Sequence, residues 1–144
     1  MRVLIDGDAF PDIKSIINVC KKYHRKVIIY IDTSHIIENT YAEVITTMTG
    51  DNAADILLEN EVSKNDLVLT QDYGVAIIAL SKGAFAIDQC GKFYTDSNIS
   101  YLMEARNTNR KLRKHTNIKG PKKRNDKDRK RLIESIISVI SADF

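Results

Sequence analysis

Two hydrophobic runs in this 144-residue chain end in aspartates whose carboxylates could do chemistry together. Asp6 and Asp8 follow the run 3–5, and Asp72 comes shortly after the run 67–69. Each run is typical of a buried parallel strand. Because open α/β sheets bind ligands in the crevice outside the carboxyl ends of their strands, we expect these three aspartates to lie in one crevice.

A crevice lined by carboxylates favours metal-assisted phosphate chemistry. Carboxylates that lie close together repel one another unless a cation or a shared proton neutralises them. Mg²⁺ and Mn²⁺ prefer oxygen ligands, so one of these ions is the predicted cofactor. Such an ion screens the charge of a phosphate group and lowers the pKa of a bound water, which can then attack at neutral pH.

A fourth carboxylate, Asp55, lies near the start of the predicted helix 53–62, and all four aspartates are candidate catalytic residues and metal ligands. Taken singly, each also fits the common role of a helix cap or turn residue. Their joint placement, at the carboxyl edges of different βα units, favours a site. Three uncharged residues are expected to support it: Thr70 and Gln71 by holding a carboxylate or a water, and Asn52 as a neutral oxygen ligand or cap.

Several other classes of site are not indicated. We find no Ser-His-Asp or Cys-His arrangement and no glycine-rich phosphate-binding loop. Cys20 and Cys90 lack metal-ligand spacing, and with three scattered histidines they argue against structural zinc. No apolar run reaches the ~18 residues that span a bilayer, and no secretory leader is recognisable. We therefore expect a cytoplasmic protein without a membrane partner.

The charge of the chain is unevenly distributed. Residues 1–105 contain 9 Lys and Arg against 15 Asp and Glu, whereas residues 106–131 contain 13 against 2. This asymmetry indicates a polyanionic partner, although a solvated tail fits a charge run equally well. RNA is the expected partner, bound through its phosphates. The predicted RNA-binding residues are Arg106, Arg110, Lys111, Arg113, Lys114, Lys119, Lys122, Lys123 and Arg124.

Strands and helices alternate along the chain. Strands are predicted over 2–5, 27–31, 41–48, 67–70 and 84–87, and helices over 10–24, 53–62, 74–82, 97–106 and 128–141. Short βα units with right-handed crossovers predict an α/β three-layer sandwich around a mostly parallel sheet of about five strands. A turn through Gly91 is expected after the last of these strands. We expect a single domain over 1–144, in which the apolar stripe of the helix 128–141 packs back on the body and tethers a basic loop, 107–126.

Motifs in order along nearly the whole chain support a family resemblance. They are Asp6-Gly7-Asp8-Ala9-Phe10-Pro11, Gly50-x-x-x-Ala54-Asp55, the segment 66–72, Lys82-Gly83-Ala84, Gly91-x-x-Tyr94-Thr95, Gly120-Pro121 and Asp128-Arg129. Together they resemble the bacterial YaiI/YqxD family, which is regarded as PIN-like and related to nuclease domains of the PIN and NYN type. The resemblance implies a sheet with the strand order 3-2-1-4-5, an acidic Mg²⁺ or Mn²⁺ pocket and RNA hydrolysis.

The resemblance also implies roles for the four aspartates. Asp6 matches the first acid of the PIN pattern and Asp72 the later one, so both are implied as primary metal ligands. Asp8 matches the second aspartate of the opening motif, and Asp55 matches an Ala-Asp pair that opens the second helix. These two would complete the site or orient a water.

Two residues depart from the family pattern. Phe10 replaces a cysteine, and Asn52 stands where an aspartate is common, which removes one formal charge from the pocket. The leading hypothesis is a metal-dependent ribonuclease that uses a metal-activated water. Two alternatives stay open: a non-catalytic RNA- or ribosome-associated binding module, and a small haloacid-dehalogenase-like phosphatase with Asp6 as nucleophile and Asp8 as acid. A homodimer stays open as well.

Overall fold

The computed structural model describes residues 1–8, 10–32, 39, 41–48, 53–105 and 123–142. It contains a sheet of β1 (Arg2–Asp6), β2 (Lys26–Asp32), β3 (Glu43–Thr47), β4 (Leu67–Leu69), β5 (Phe85–Ile87) and β6 (Phe93–Tyr94). The strands lie in the order β3-β2-β1-β4-β5-β6, and only the pairing of β6 with β5 is antiparallel. The expected order 3-2-1-4-5 is confirmed, with one additional strand at the edge.

The predicted helices are present in the described part of the chain, with boundaries that differ by a few residues. They are α1 (Ile13–Lys22), α2 (Ala53–Glu61), α3 (Tyr73–Ser81), α4 (96–105) and α5 (Asp126–Ile140). The largest difference is at the start of α1, which was expected at residue 10. Asp12 has a left-handed backbone, with a φ of 58°, and so α1 begins only after it. None of the described helices is both long and apolar enough to cross a bilayer.

Two buried clusters, one on each face of the sheet, confirm the three-layer sandwich. Along β1, Val3 and Ile5 belong to one cluster and Leu4 to the other, as the alternation of a strand requires. The first cluster includes the apolar stripes of α1 and α5, and the second includes those of α2, α3 and α4. The apolar side chains of the C-terminal helix are therefore buried in the first cluster.

The additional strand follows a tight turn. Asp88 Oδ1 accepts hydrogen bonds from the backbone N–H groups of Cys90, at 2.8 Å, and Lys92, at 2.9 Å. Gly91 completes the turn with a φ of +80°, and its carbonyl accepts a 2.6 Å hydrogen bond from Ser135 Oγ of α5. The predicted turn through Gly91 is thus a hairpin that packs against α5.

Polar contacts tie α5 to α1 at both ends. Just before α5, Arg124 Nη2 lies 2.5 Å from Oδ2 of Asp12, the residue that precedes α1. Beyond the end of α1, the guanidinium of Arg25 donates to the carbonyl oxygens of Ile140 and Ala142, at 2.9 and 3.0 Å. The N-terminal ends of the two helices are thus joined, as are their C-terminal ends, so α1 and α5 run parallel side by side.

The hairpin contact predicts a large loss of stability for Gly91→Ala. A Cβ at Gly91 would lie 2.6 Å from the backbone carbonyl atoms of Arg131, whereas a Cβ at Gly83, which has the same φ of +80°, would come no closer than 3.2 Å to another residue, at the side-chain Cγ of Lys64. Gly83→Ala is therefore a matched control that costs about 1–2 kcal/mol for its positive φ alone. We expect Gly91→Ala to lower the free energy of unfolding, measured in urea, by roughly 1–3 kcal/mol more than Gly83→Ala does. Equal losses in the two variants would contradict the close packing of α5.

Candidate active site at the carboxyl edge of the sheet

The pairing of β1 with β4 brings two of the predicted site residues into contact. These parallel neighbours are in register, with Ile5 opposite Leu69, so the residues that follow each strand come level at the carboxyl edge. There the Oγ1 of Thr70 donates a 3.0 Å hydrogen bond to Oδ2 of Asp6. Thr70 is completely buried, which fixes its hydroxyl as a support for the carboxylate. The hydroxyl of Thr70 thus fixes the orientation of the Asp6 carboxylate.

Asp55 reaches the same edge from the first turn of α2, close enough to Asp6 for the two carboxyl groups to interact. Burial raises the pKa of Asp6, the Thr70 hydroxyl opposes the rise, and the charges of Asp8 and Asp72 add to it. Burial also raises the pKa of Asp55 to about 7, helped by the charges of Asp6, Asp72 and others. Protonation of Asp55 would relieve the repulsion among these carboxylates.

Asp8 is held at the same edge by the neighbouring strand. Its Oδ1 accepts a 3.0 Å hydrogen bond from the backbone N–H of Asp32, the last residue of β2. The preceding residue must be glycine, since a Cβ at Gly7 would lie 2.6 Å and 2.7 Å from methyl groups of Ile29 and Ile31. Gly7 thereby lets the chain turn closely against β2, and the charge of Asp8 raises the pKa of both Asp6 and Asp55.

Asp72 has the helix-capping role that was considered for it, and it also contributes to the cluster. Its Oδ1 accepts hydrogen bonds from the N–H groups of Gly74, at 2.7 Å, and Val75, at 3.3 Å, which caps α3. Its own N–H donates to Thr70 Oγ1 at 3.0 Å. The negative charge of Asp72 nevertheless raises the pKa of Asp6 and Asp55. Capping and electrostatic coupling thus coexist in one residue.

Two further acids belong to this edge and were missed by the sequence reasoning. Asp32 ends β2, so the rule that selected Asp6 and Asp72, an aspartate directly after a buried run, would have found it. Glu59 lies one turn beyond Asp55 on α2. Burial and the charge of Asp72 raise its pKa, against the opposing charge of Lys82. Glu59 could have been found from the sequence, because a residue four positions after Asp55 lies on the same side of the helix.

The donors at this edge suit Mg²⁺ or Mn²⁺ in kind, since they are carboxylate oxygens. As the side chains stand, however, no group of three or more His, Cys, Asp or Glu among the described residues is arranged to hold a metal ion. Mg²⁺ is often held by one or two carboxylates, with waters and substrate phosphates completing its shell. The residues therefore fit an ion shared with a substrate better than an ion in a closed protein cage. Gln71 is exposed beside the site, and Asn52 lies outside the described residues.

The predicted RNA-binding residues lie mostly outside the described residues. This applies to Arg106, Arg110, Lys111, Arg113, Lys114, Lys119 and Lys122. Lys123 is exposed. Arg124 is largely buried and, besides its contact with Asp12, donates to the carbonyl oxygen of Gln89 at 2.9 Å. Both partners lie beyond the carboxyl ends of strands, so the chain re-enters the described structure at the edge that holds the aspartates.

Comparison with known proteins identifies the family. Residues 4–142 match the model described as the uncharacterized YaiI/YqxD family. A UPF0178 protein of Clostridium kluyveri is 40% identical over 141 residues, which cover 97% of this chain and 93% of the relative. UPF0178 proteins of Alkaliphilus oremlandii (42% over 132 residues, 89% and 84%) and Clostridium tetani (38% over 141 residues, 97% and 97%) are also similar. No solved structure matches. The chain belongs to the YaiI/YqxD family, whose description names no activity.

The raised pKa of Asp55 predicts that it makes the metal-free protein less stable as the pH rises. In the unfolded chain the pKa of this carboxyl is about 3.9, whereas in the folded protein its pKa is about 7. Between these values the folded state binds more protons than the unfolded state, so the stability falls with increasing pH and levels off above 7. Because Asp55 is partly exposed and its charge is screened by solvent, we expect its titration to lower the free energy of unfolding by only roughly 1–2 kcal/mol.

Urea unfolding in EDTA tests this with Asp55→Asn, which removes the titration. The difference in the free energy of unfolding, variant minus wild type, should increase by roughly 1–2 kcal/mol between pH 4.5 and pH 8. Asp96→Asn, at an exposed aspartate of α4, is the control and should differ from wild type by the same amount at both pH values. A constant difference for Asp55→Asn would contradict the raised pKa of Asp55.

Proposed function

We propose that this member of the YaiI/YqxD family is a metal-dependent ribonuclease that hydrolyses phosphodiester bonds at the carboxyl edge of its sheet. The main support is the electrostatic coupling of carboxylates that come from separate βα units: Asp6, Asp8, Asp55 and Asp72. Such crowding is unfavourable in itself and is relieved by a proton or a cation. Groups with strongly shifted pKa values that gather at a ligand-binding edge are candidates for function.

In this proposal Asp6 and Asp72 are the primary ligands of Mg²⁺ or Mn²⁺, and Asp8 completes the site. When bound, the ion supplies positive charge to the phosphate and acidifies a water. The protein positions these groups: Thr70 holds Asp6 by its hydroxyl, and the Asp32 N–H holds Asp8. Fixed donors and acceptors of this kind need no reorganisation during reaction.

Asp55 is suited to move a proton. A general base works best when its pKa lies near the working pH, and in the metal-free protein the pKa of Asp55 is about 7. Its electrostatic interaction with Asp6 indicates that it lies near a proposed metal ligand. We therefore assign Asp55 the role of orienting the attacking water and accepting its proton.

RNA is the proposed substrate because of the distribution of charge along the chain. Residues 106–131 contain 13 Lys and Arg against 2 Asp and Glu. Their described part begins at Lys123 and Arg124, and Arg124 is bound at the edge that holds the aspartates. Contacts from such cations to phosphates give affinity without sequence preference. A substrate held at the described start of this segment would lie near the carboxylates.

A second candidate function is a non-catalytic RNA-binding module. It is favoured by the absence, among the residues that the structure describes, of three metal-ligating side chains arranged around one point. A proton on Asp55, whose pKa is raised to about 7, would then be the permanent means of relieving the repulsion among the carboxylates. Such a module binds RNA equally well in EDTA and in Mn²⁺, and Asp6→Asn leaves its affinity unchanged.

The ribonuclease proposal predicts that Asp6→Asn abolishes Mn²⁺-dependent cleavage of single-stranded RNA. The substitution keeps the shape of the side chain but removes a charge at the reaction centre, so we expect a rate loss on the order of 10²-fold or more. Cleavage of a fluorescently labelled oligoribonucleotide, measured at pH 8 with and without Mn²⁺, gives the rates. Asp96→Asn is the matched control and should cleave like wild type.

Equal cleavage by wild type and Asp6→Asn would eliminate the proposed site. No cleavage by any variant, combined with metal-independent binding of the same oligonucleotide, would support the binding module instead.

Metal binding itself predicts a stabilisation that depends on pH. An ion that binds only the folded state at 100 times its Kd adds about 2.7 kcal/mol to the free energy of unfolding. The ion competes with the proton of Asp55, so the increase in Tm on adding Mn²⁺ should be larger at pH 8 than at pH 5.5. Thermal unfolding followed by circular dichroism measures it, and Asp6→Asn should lose most of the increase. An increase that is the same in Asp6→Asn would place the ion elsewhere.

A further inference from the structure

The two helical layers of the sandwich differ in charge. On one face of the sheet, α1 contains three lysines and no acid, and α5 contains four Lys and Arg against three Asp and Glu. On the other face, α2, α3 and the described helix α4 contain five acids and no Lys or Arg. The acids of that second face are Asp55, Glu59, Glu61, Asp96 and Glu104. A polyanion that approaches the body is therefore attracted by one layer and repelled by the other.

Seven cations of the first layer are exposed to solvent, and one of them, Arg129, pairs with Asp126. The other six are Lys14, Lys21 and Lys22 of α1, and Lys127, Lys130 and Arg131 of α5, and we call this set the basic face. Because α1 and α5 run parallel and are tied together at both ends, these side chains extend from one continuous layer. Lys14 and Lys21 are two turns apart, which spreads the charge over roughly 10 Å of α1.

Most carboxylates near this layer are already engaged within the protein. Asp12 pairs with Arg124, and Asp126 Oδ1 accepts a 2.7 Å hydrogen bond from Arg129. The carboxylate of Asp128 accepts a hydrogen bond from the backbone N–H of Asn125, as part of the capping box of α5. These acids are neutralised or used locally. Apart from them, Glu134 is the acid of α5, so the basic face keeps a net positive charge.

The basic face also lacks the apolar component that other anionic partners would need. In the described part of the chain, the large apolar side chains that are exposed are Met48, Ile56, Leu57, Ile77, Tyr101 and Met103. None of these belongs to α1 or α5. A helix that binds a membrane surface buries apolar side chains beside its cations, and the core of a protein interface is rich in aromatic and apolar residues. A hydrophilic polyanion fits this face better than either partner.

We propose that the basic face binds the phosphate backbone of RNA. The strand lies across α1 and α5, and their N-terminal ends, joined by Asp12 and Arg124, lead it to the carboxyl edge of the sheet. Recognition is independent of sequence, since cations alone contact phosphates. This surface deepens the proposed function by adding α1 to the RNA site, and it is tested without cleavage so that the two proposals can fail separately.

The test is the affinity for a fluorescein-labelled single-stranded oligoribonucleotide, measured by fluorescence anisotropy in EDTA between 50 and 200 mM salt. The main variant is Lys14→Gln/Lys21→Gln/Lys22→Gln. The control, Lys26→Gln/Lys64→Gln/Lys92→Gln, removes the same charge at exposed lysines outside α1 and α5. Each phosphate contact to single-stranded nucleic acid contributes about 0.7 to the slope of log affinity against log salt.

The α1 variant should therefore lower that slope by about 2 and weaken binding at 100 mM salt about tenfold or more. The control should stay within about threefold of wild type. A second variant, Lys127→Gln/Lys130→Gln, should lower the slope by about 1.4. Urea unfolding of each variant shows whether the protein is folded, so that a loss of RNA contacts is distinguished from a loss of folding.

Three results would overturn the proposal. Equal losses in the α1 variant and the control would show that affinity follows net charge alone. Unchanged binding in both α1 and α5 variants would remove the surface. Tighter binding to vesicles of phosphatidylserine and phosphatidylcholine than to RNA, lost in the same variants, would assign the basic face to a lipid surface instead.

Discussion

Parallel pairing of β1 with β2 on one side and β4 on the other is the constraint on which the site depends. The chain builds the sheet outward from β1 in one direction through β2 and β3, and then returns to β1 to continue through β4 and β5. The point where this order reverses lies between β1 and β4, and α/β sheets bind ligands at such a point. Asp6 and Thr70 meet there because the two strands are in register. Loss of that register would separate the groups on which the proposed chemistry rests.

The negative charge of the aspartates at this edge can be offset by a proton or by a cation. Asp6 is partly buried and accepts a hydrogen bond from Thr70, and burial together with the charge of Asp6 raises the pKa of Asp55 to about 7. A proton on Asp55 would relieve the repulsion among the carboxylates in the metal-free protein, and in the proposed function a divalent cation takes its place. The acidic layer of α2 and the basic layer of α1 and α5 extend this division of charge to the whole body.

Much of the architecture could be predicted because continuous apolar runs such as 3–5 and 67–69 indicate strands buried on both faces. The order of the strands came from the family resemblance, since hydrophobic periodicity does not specify neighbours. β6 has only two residues, Phe93 and Tyr94, and is too short to produce a pattern. Its existence depends on the contact of Gly91 with α5, which is distant in sequence.

The candidate site was predictable to a similar extent. Aspartates that follow buried runs were found, yet Asp32 was overlooked although it follows β2 in the same way. The contact of Arg124 with Asp12 joins residues 112 positions apart, and a run of basic residues gives no indication that one member is partly buried in such a contact. The raised pKa of Asp55 depends on burial and on neighbouring charges, which only the folded chain provides.

The central claim is that the carboxylates of the β1–β4 edge hold one divalent cation. A crystal structure of the protein grown with Mn²⁺ at pH 8, with an anomalous difference map at the manganese edge, measures this directly. The account predicts a peak at about 2.0–2.6 Å from a carboxylate oxygen of Asp6 and from one of Asp8, Asp55 or Asp72. A map without a peak at this edge would contradict it.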